Sequence, residues 1–189
     1  MTRWSIAFPI LSLIALTCAA QDVPPPPKPP DDGPSLADTM KFIEEKLGSI
    51  GPVSYVAYHH DNTDGRDWTV KIIQKESNVR ASVQGCRIDY HMWSSFAGKV
   101  GLDQDAWFLL KDVEEVVVET KEQNFKKAAS RQGVPEVSTR VDPPVFVITA
   151  KKKNGGDEFA LNDEPLAHRI AKALVHAVEL CGGGSKDPF

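Results

Sequence analysis

The sequence has little that could cross a membrane. Its one long apolar run covers Ile6–Leu16, and a helix of this length is too short for a bilayer, which requires about 20 residues. Arg3 precedes the run and small residues occupy positions 17–20, as in a cleavable export signal. We therefore predict a signal peptide at residues 1–20, a mature chain without a transmembrane segment, and a periplasmic or extracellular location.

Lipidation of Cys18 is the alternative fate of this segment. A lipoprotein signal normally has leucine three residues before the cysteine and glycine or alanine directly before it. This chain has Ala15 and Thr17 at those positions. Simple cleavage before Gln21 therefore fits the sequence better than a lipid anchor does.

An excess of basic residues is also missing. The chain has 22 Lys and Arg residues against 26 Asp and Glu residues, a formal net charge of −4. Binding to nucleic acid irrespective of sequence depends on clustered positive charge, so we expect no nucleic-acid partner. We expect the short basic run at 151–153 to protect an exposed sheet edge.

No catalytic motif is recognisable. The chain contains neither the nucleophile elbow G-x-S-x-G nor the zinc motif H-E-x-x-H, and we expect no cofactor. The enzymatic alternative is a metal-dependent hydrolase that uses His59, His60 and Asp61. Adjacent residues of a strand point to opposite faces, so both imidazoles could bind one ion only beyond the end of the strand.

Removal of the signal leaves only two cysteines, Cys86 and Cys181. Cys181 lies on the apolar stripe of the last predicted helix. Cys86 shares the more apolar side of a predicted strand with Ile88, Tyr90 and Met92. Both thiols therefore point inward, and an oxidising compartment lets them pair. We predict a Cys86–Cys181 disulfide, with two separate buried cysteines as the alternative.

Proline marks the boundary of the folded part. Residues 21–34 contain seven prolines and predict an extended polyproline linker that spans about 3 Å per residue. Hydrophobic patterning begins after this segment. We expect residues 35–182 to form a single globular domain and residues 183–189 a flexible tail.

Hydrophobic periodicity predicts an α+β domain. A short helix with an apolar stripe from Leu36 to Leu47 comes first, and from Val53 the period changes to two. The residues K-N-G-G join the last two strands as a hairpin. We predict about seven strands, mainly antiparallel, in one bent sheet or partly open barrel, with polar residues 120–144 as a long irregular insertion.

The last predicted helix runs from Asp163 to Cys181 and is followed by three glycines. Asn162 or Asp163 can cap its first turn, and Pro165 sits where its missing N–H costs nothing. Its apolar residues recur every three or four positions and are Leu166, Ile170, Leu174, Ala177, Val178 and Cys181. One face is therefore buried, and the helix packs on the sheet or closes its end.

These segments resemble a known superfold. The strand L-K-D-V-E-E-V-V-V, and the pair F-V-I-T-A-K-K-K-N-G-G-D-E-F leading into D-E-P-L-A-H-R-I, are similar to the pleckstrin-homology-like fold over Val53–Cys181. The resemblance implies a bent barrel of seven strands plugged by the C-terminal helix. The chain's ending A-L-V-H-A-V-E-L-C-G-G-G also resembles uncharacterised exported bacterial proteins.

The resemblance implies two kinds of ligand. Lipid-binding members carry basic residues in the first strand-to-strand loop, but here that loop, 59–67, is acidic on balance, so no phosphoinositide site is evident. Peptide binding along a sheet edge beside the C-terminal helix requires no such motif, because main-chain groups provide the affinity.

Two tryptophans are the best candidates for an exposed binding patch. Trp93 and Trp107 fall on the side opposite the apolar alternation of their predicted strands. Together with the export signal and the lack of catalytic motifs, they favour an exported, non-enzymatic binding or interaction module for a protein or peptide partner. A purely structural envelope protein is the further alternative.

Intact-mass spectrometry of the protein recovered from its exported compartment tests the processing. We expect a chain that begins at Gln21 and is lighter by two hydrogens than its fully reduced form. A lipid-sized increment on a chain that begins at Cys18 would contradict simple cleavage. An unchanged mass on reduction would contradict the disulfide.

Overall fold

The computed structural model describes residues 33–131 and 137–184. The predicted signal peptide at 1–20 and nearly all of the linker and tail lie outside the described residues. Within those ranges, no helix is both long enough and apolar enough to cross a membrane. The elements are, in chain order, α1 (Leu36–Gly48), β1 (Val53–Asp61), β2 (Asp67–Ser82), β3 (Arg87–Phe96), β4 (Lys99–Leu109), β5 (Val113–Thr120), α2 (Lys121–Arg131), β6 (Val137–Asp142), β7 (Phe146–Lys152), β8 (Gly155–Leu161) and α3 (Glu164–Leu180).

The α+β class is confirmed, but the strands form two antiparallel sheets instead of one bent sheet. One sheet has the order β4-β3-β2-β1-β6 and the other has the order β5-β7-β8. A short 3-10 turn at Leu110–Asp112 separates β4 from β5, and the two strands belong to different sheets. The predicted K-N-G-G hairpin is confirmed, with Lys152 paired to Gly155.

Helix α3 joins the two sheets. Asp163 caps it by accepting a hydrogen bond from the Leu166 N–H at 2.9 Å. Its buried stripe belongs to one hydrophobic cluster with both sheets and α1, and each fully buried large side chain contributes about 1.5–3 kcal/mol. The completely buried large residues of this cluster include Met40, Ile43, Leu47, Ile88, Phe108, Ile148, Phe159, Ile170 and Leu174.

Helix α1 covers a strand edge that β1 leaves open. β1 pairs with β2 only as far as Gln74, whereas β2 continues to Ser82. Beyond that point the Glu44 side chain of α1 accepts a hydrogen bond from the Ala81 N–H at 2.8 Å. The exposed main chain of a strand edge is thereby paired, which protects it from pairing with another chain.

The expectation of an irregular insertion at 120–144 is wrong. Residues Lys121–Arg131 form α2 and residues Val137–Asp142 form β6, which pairs with β1. Thr120 and Gln123 build a capping box: Thr120 Oγ1 accepts from the Gln123 N–H at 3.3 Å, and Gln123 Oε1 accepts from the Thr120 N–H at 3.0 Å. The helix was missed because Phe125 is its only large apolar residue, so it lacks the apolar stripe that marks the other two helices.

The sulfur atoms of Cys86 and Cys181 lie at disulfide distance, and their Cα atoms are 5.9 Å apart. Cys86 lies in the turn before β3, with a φ of +44°. The alternation predicts a strand residue at this position, and that prediction is wrong. The chain after α3 turns closely onto the 3-10 turn. At Gly183, a Cβ atom would lie 2.4 Å from the Leu110 carbonyl oxygen, so only glycine fits this position.

Removal of the disulfide should destabilise the domain substantially. The two cysteines are 95 residues apart, so the bridge restricts a long loop in the unfolded chain. The double variant Cys86→Ala/Cys181→Ala should lose about 4–5 kcal/mol of unfolding free energy in the chain-entropy description, measured by urea denaturation. Reduction of the wild-type protein is the control and should give a similar loss; equal midpoints for all three samples would contradict the prediction.

Candidate functional site

The candidate site is the outer side of the β3–β4 hairpin. Direct cross-strand pairs place Asp89 opposite Trp107, and Trp93 opposite Asp103. Their neighbours Ile88 and Phe108 point the other way into the core, because successive strand residues alternate between faces. We call the outward set the tryptophan face, and it consists of Arg87, Asp89, His91, Trp93, Asp103, Asp105 and Trp107.

Trp107 is the most exposed aromatic residue of this face. Its accessible fraction is 54%, which is high for a large apolar side chain. The Arg87 guanidinium lies 4.5 Å from the centre of its ring and is itself held by a 2.8 Å hydrogen bond from Nε to Asp89 Oδ1. This cation–π contact fixes a flat platform of indole and guanidinium. Trp93 lies on the same face and is partly buried.

His91 connects the platform to strand β4. Its Nδ1 lies 2.9 Å from Asp105 Oδ1 and its Nε2 lies 3.0 Å from Asp103 Oδ1. The hydrogen bond with Asp105, supported by the one with Asp103, raises the pKa of His91, because both carboxylates stabilise an imidazolium that donates from each nitrogen. The site therefore holds two carboxylates around one titratable cation.

The structure does not bring His59 and His60 together. β1 continues to Asp61, so the two imidazoles lie on opposite faces of the sheet. His59 stacks on Trp68 with ring centres 5.1 Å apart, and burial lowers the pKa of His59. His60 Nδ1 instead lies 2.8 Å from Asp67 Oδ1 on the other face. One ion could not be bound by both histidines in this arrangement.

Asp61 is the third residue of that hypothesis, and its carboxylate forms a hydrogen bond within its own hairpin loop. Asp61 Oδ1 accepts a 2.8 Å hydrogen bond from the Thr63 N–H, and this bond lowers the pKa of Asp61. Such a bond is typical of an Asx turn in a hairpin loop. Across residues 33–131 and 137–184, no group of three His, Cys, Asp or Glu side chains could hold a metal ion.

A buried polar cluster between the two sheets is absent from the sequence predictions. The Tyr90 hydroxyl of one sheet donates to Asp157 Oδ1 of the other at 2.8 Å, and Lys152 Nζ lies 2.7 Å from Asp157 Oδ2. We call this set the inter-sheet polar cluster, and it consists of Tyr55, Gln74, Glu76, Tyr90, Lys121, Lys152, Asp157 and Glu158. Its signal in the sequence is the replacement of apolar residues by Gln74 and Glu76 in the inward alternation of β2.

Glu76 is the least satisfied member of this cluster. It is only 3% exposed, and its Oε2 atom accepts no hydrogen bond from any described residue. Burial raises the pKa of Glu76 to about 7, although the Lys121 ammonium opposes the shift. A buried carboxyl of this kind is protonated in mildly acidic solution and costs free energy when it ionises.

Comparisons with known proteins do not assign this chain to a family. Neither protein-family models, nor curated protein sequences, nor solved structures match this chain. The candidate site is therefore defined by its geometry and chemistry alone.

Glu76 should make the stability of the fold depend on pH. The ordinary pKa of its carboxyl is 4.5 and the folded-state pKa is about 7. Between these values the folded protein keeps a proton that the unfolded chain releases, so stability falls as pH rises. Relative to Glu76→Gln, the wild type should lose about 3 kcal/mol of unfolding free energy between pH 4 and pH 8.

Urea denaturation at several pH values measures this difference. Glu114→Gln is the control, because Glu114 is exposed on β5 and should follow the wild-type curve. Parallel curves for the wild type and Glu76→Gln would show that Glu76 does not titrate in this range.

Proposed function

We propose that the protein is an exported, non-enzymatic binding module that holds a protein or peptide partner on the tryptophan face. The observation that carries this proposal is the exposure of Trp107 on the sheet face that also holds Trp93, with the Trp107 indole contacted by Arg87, which Asp89 holds in place. Tryptophan and arginine are enriched among the residues that contribute most to protein interfaces. The indole buries a large area with only two rotatable bonds.

The fold supports the binding role by analogy, and we propose that it is pleckstrin-homology-like. β1 to β4 form a meander, a separate three-stranded sheet follows, and α3 packs against both sheets. The chain departs from a plain version of that fold by α1 and by the insertion of α2 and β6. The analogy suggests ligand binding but does not select the ligand.

Export is supported by the pairing of Cys86 with Cys181, because disulfides persist mainly in oxidising compartments. A metal-dependent hydrolase is disfavoured by the divergent positions of His59 and His60. A purely structural envelope protein would have no need of an exposed indole on an ordered platform, and the experiment below distinguishes that role from binding.

Partner capture from the organism's exported fraction should depend on both tryptophans. The wild type and Trp93→Ala/Trp107→Ala would be immobilised and their captured proteins compared by quantitative mass spectrometry. We expect at least one protein whose recovery falls tenfold or more in the double variant, because truncation of a central aromatic residue typically costs more than 1 kcal/mol.

Trp68→Ala is the matched control, since Trp68 is 41% exposed but lies outside the tryptophan face. The control should capture the same partner as the wild type. Identical sets of captured proteins for the wild type and the double variant would contradict the proposed function and favour a purely structural role.

A further inference from the structure

We propose that β4 is a docking edge for an extended peptide segment that carries Lys or Arg at alternate positions. This inference rests on the proposed function and names the chemistry of the partner. It follows from the position of β4 in the sheet and from the charges on its outer side, which also disfavour three registers of pairing with a second copy.

β4 ends the five-stranded sheet. It pairs with β3 along one side, and all residues from Lys99 to Asp105 are exposed. The main-chain groups on its other side are available to an added strand. Two other edges are each engaged at one point: Glu122 of α2 accepts from the Val141 N–H of β6 at 2.9 Å, and the Gly184 N–H donates to the Val113 carbonyl of β5 at 2.8 Å.

The outer side of β4 presents a regular chemical pattern. Asp103, Asp105 and Trp107 occupy alternate positions and therefore share one face. The side chains of Asp103 and Asp105 are 60% and 92% exposed. In an added strand, residues at i and i+2 would lie opposite the two carboxylates, where opposite charges stabilise the pair. A residue at i+4 would lie opposite Trp107, whose indole already contacts the Arg87 guanidinium at 4.5 Å, so the two carboxylates are the anionic partners of the added strand.

The same charges disfavour pairing between two copies of the chain. An antiparallel β4–β4 pair centred on Gln104 would place Asp103 of each copy opposite Asp105 of the other. Centring the pair on either aspartate would place that residue opposite itself. Like charges in directly opposed positions are destabilising, so these three registers of a β4–β4 pair are disfavoured.

Binding of a defined peptide tests the proposal. The probe is an acetylated and amidated peptide with the sequence Lys-Thr-Lys-Thr-Lys-Thr-Lys, titrated into the protein and followed by tryptophan fluorescence. We expect saturable binding, and slower amide hydrogen exchange along β4 in the complex. Replacement of every Lys by Glu should abolish binding, as should N-methylation of alternate amides, because only strand addition requires those N–H groups.

Asp103→Asn/Asp105→Asn should weaken binding of the peptide at least tenfold. Glu114→Gln/Glu179→Gln is the matched control, since it changes the net charge equally at exposed positions of β5 and α3. Equal weakening by both variants, or equal binding of the N-methylated peptide, would show attraction by bulk charge and overturn the proposal.

Two further outcomes separate this inference from the proposed function. Capture of a partner that depends on the tryptophans, without binding of the cationic peptide, would leave the binding module intact and overturn the docking edge. Dimerisation of Asp103→Asn/Asp105→Asn, without peptide binding by the wild type, would show that the aspartates only prevent self-association. That result would also overturn the proposal.

Discussion

The fold depends on the burial of one face of α3. The stripe containing Ile170 and Leu174 supplies the apolar surface of the larger cluster, on which residues of both sheets meet. A second, smaller cluster brings Tyr55 and Ala160 of the two sheets together without α3. The sheets can therefore be joined by loops and a short 3-10 turn without a continuous ladder of hydrogen bonds. In this arrangement the side chains on the outer side of the β3–β4 hairpin do not form part of the core, so they can contact a ligand.

Buried polar groups between the sheets reduce the stability that burial of α3 provides. The Tyr90–Asp157 hydrogen bond connects the two sheets, and Lys152 pairs with Asp157 within the three-stranded sheet. Glu76 shows the cost, because its buried carboxyl lacks a full set of partners. Buried polar groups of this kind can specify one arrangement at the expense of stability.

Local signals predicted the parts of the fold that local chemistry determines. The cap at Asp163, the K-N-G-G hairpin and the inward position of Cys181 are each decided within a few residues. Helix α2 was missed because it has one large apolar residue, Phe125, and is held by polar contacts such as that of Glu122 with β6, although its Thr120–Gln123 capping box was a readable local signal. The division into two sheets and the gathering of Glu76 with Lys121 depend on tertiary packing, which no window of sequence contains. The outward position of the tryptophan pair, in contrast, follows directly from strand alternation.

The position of Cys86 has a mechanical consequence. It immediately precedes β3, so its bond to Cys181 anchors the base of the β3–β4 hairpin to the end of α3. One end of the hairpin is then covalently attached to α3, and the other end is the turn at Ala97 and Gly98. A load applied by a partner on β4 would pass through the ladder of hydrogen bonds to a base that cannot peel away from the core. Reduction of the bridge would convert that clamped support into one held by non-covalent contacts alone.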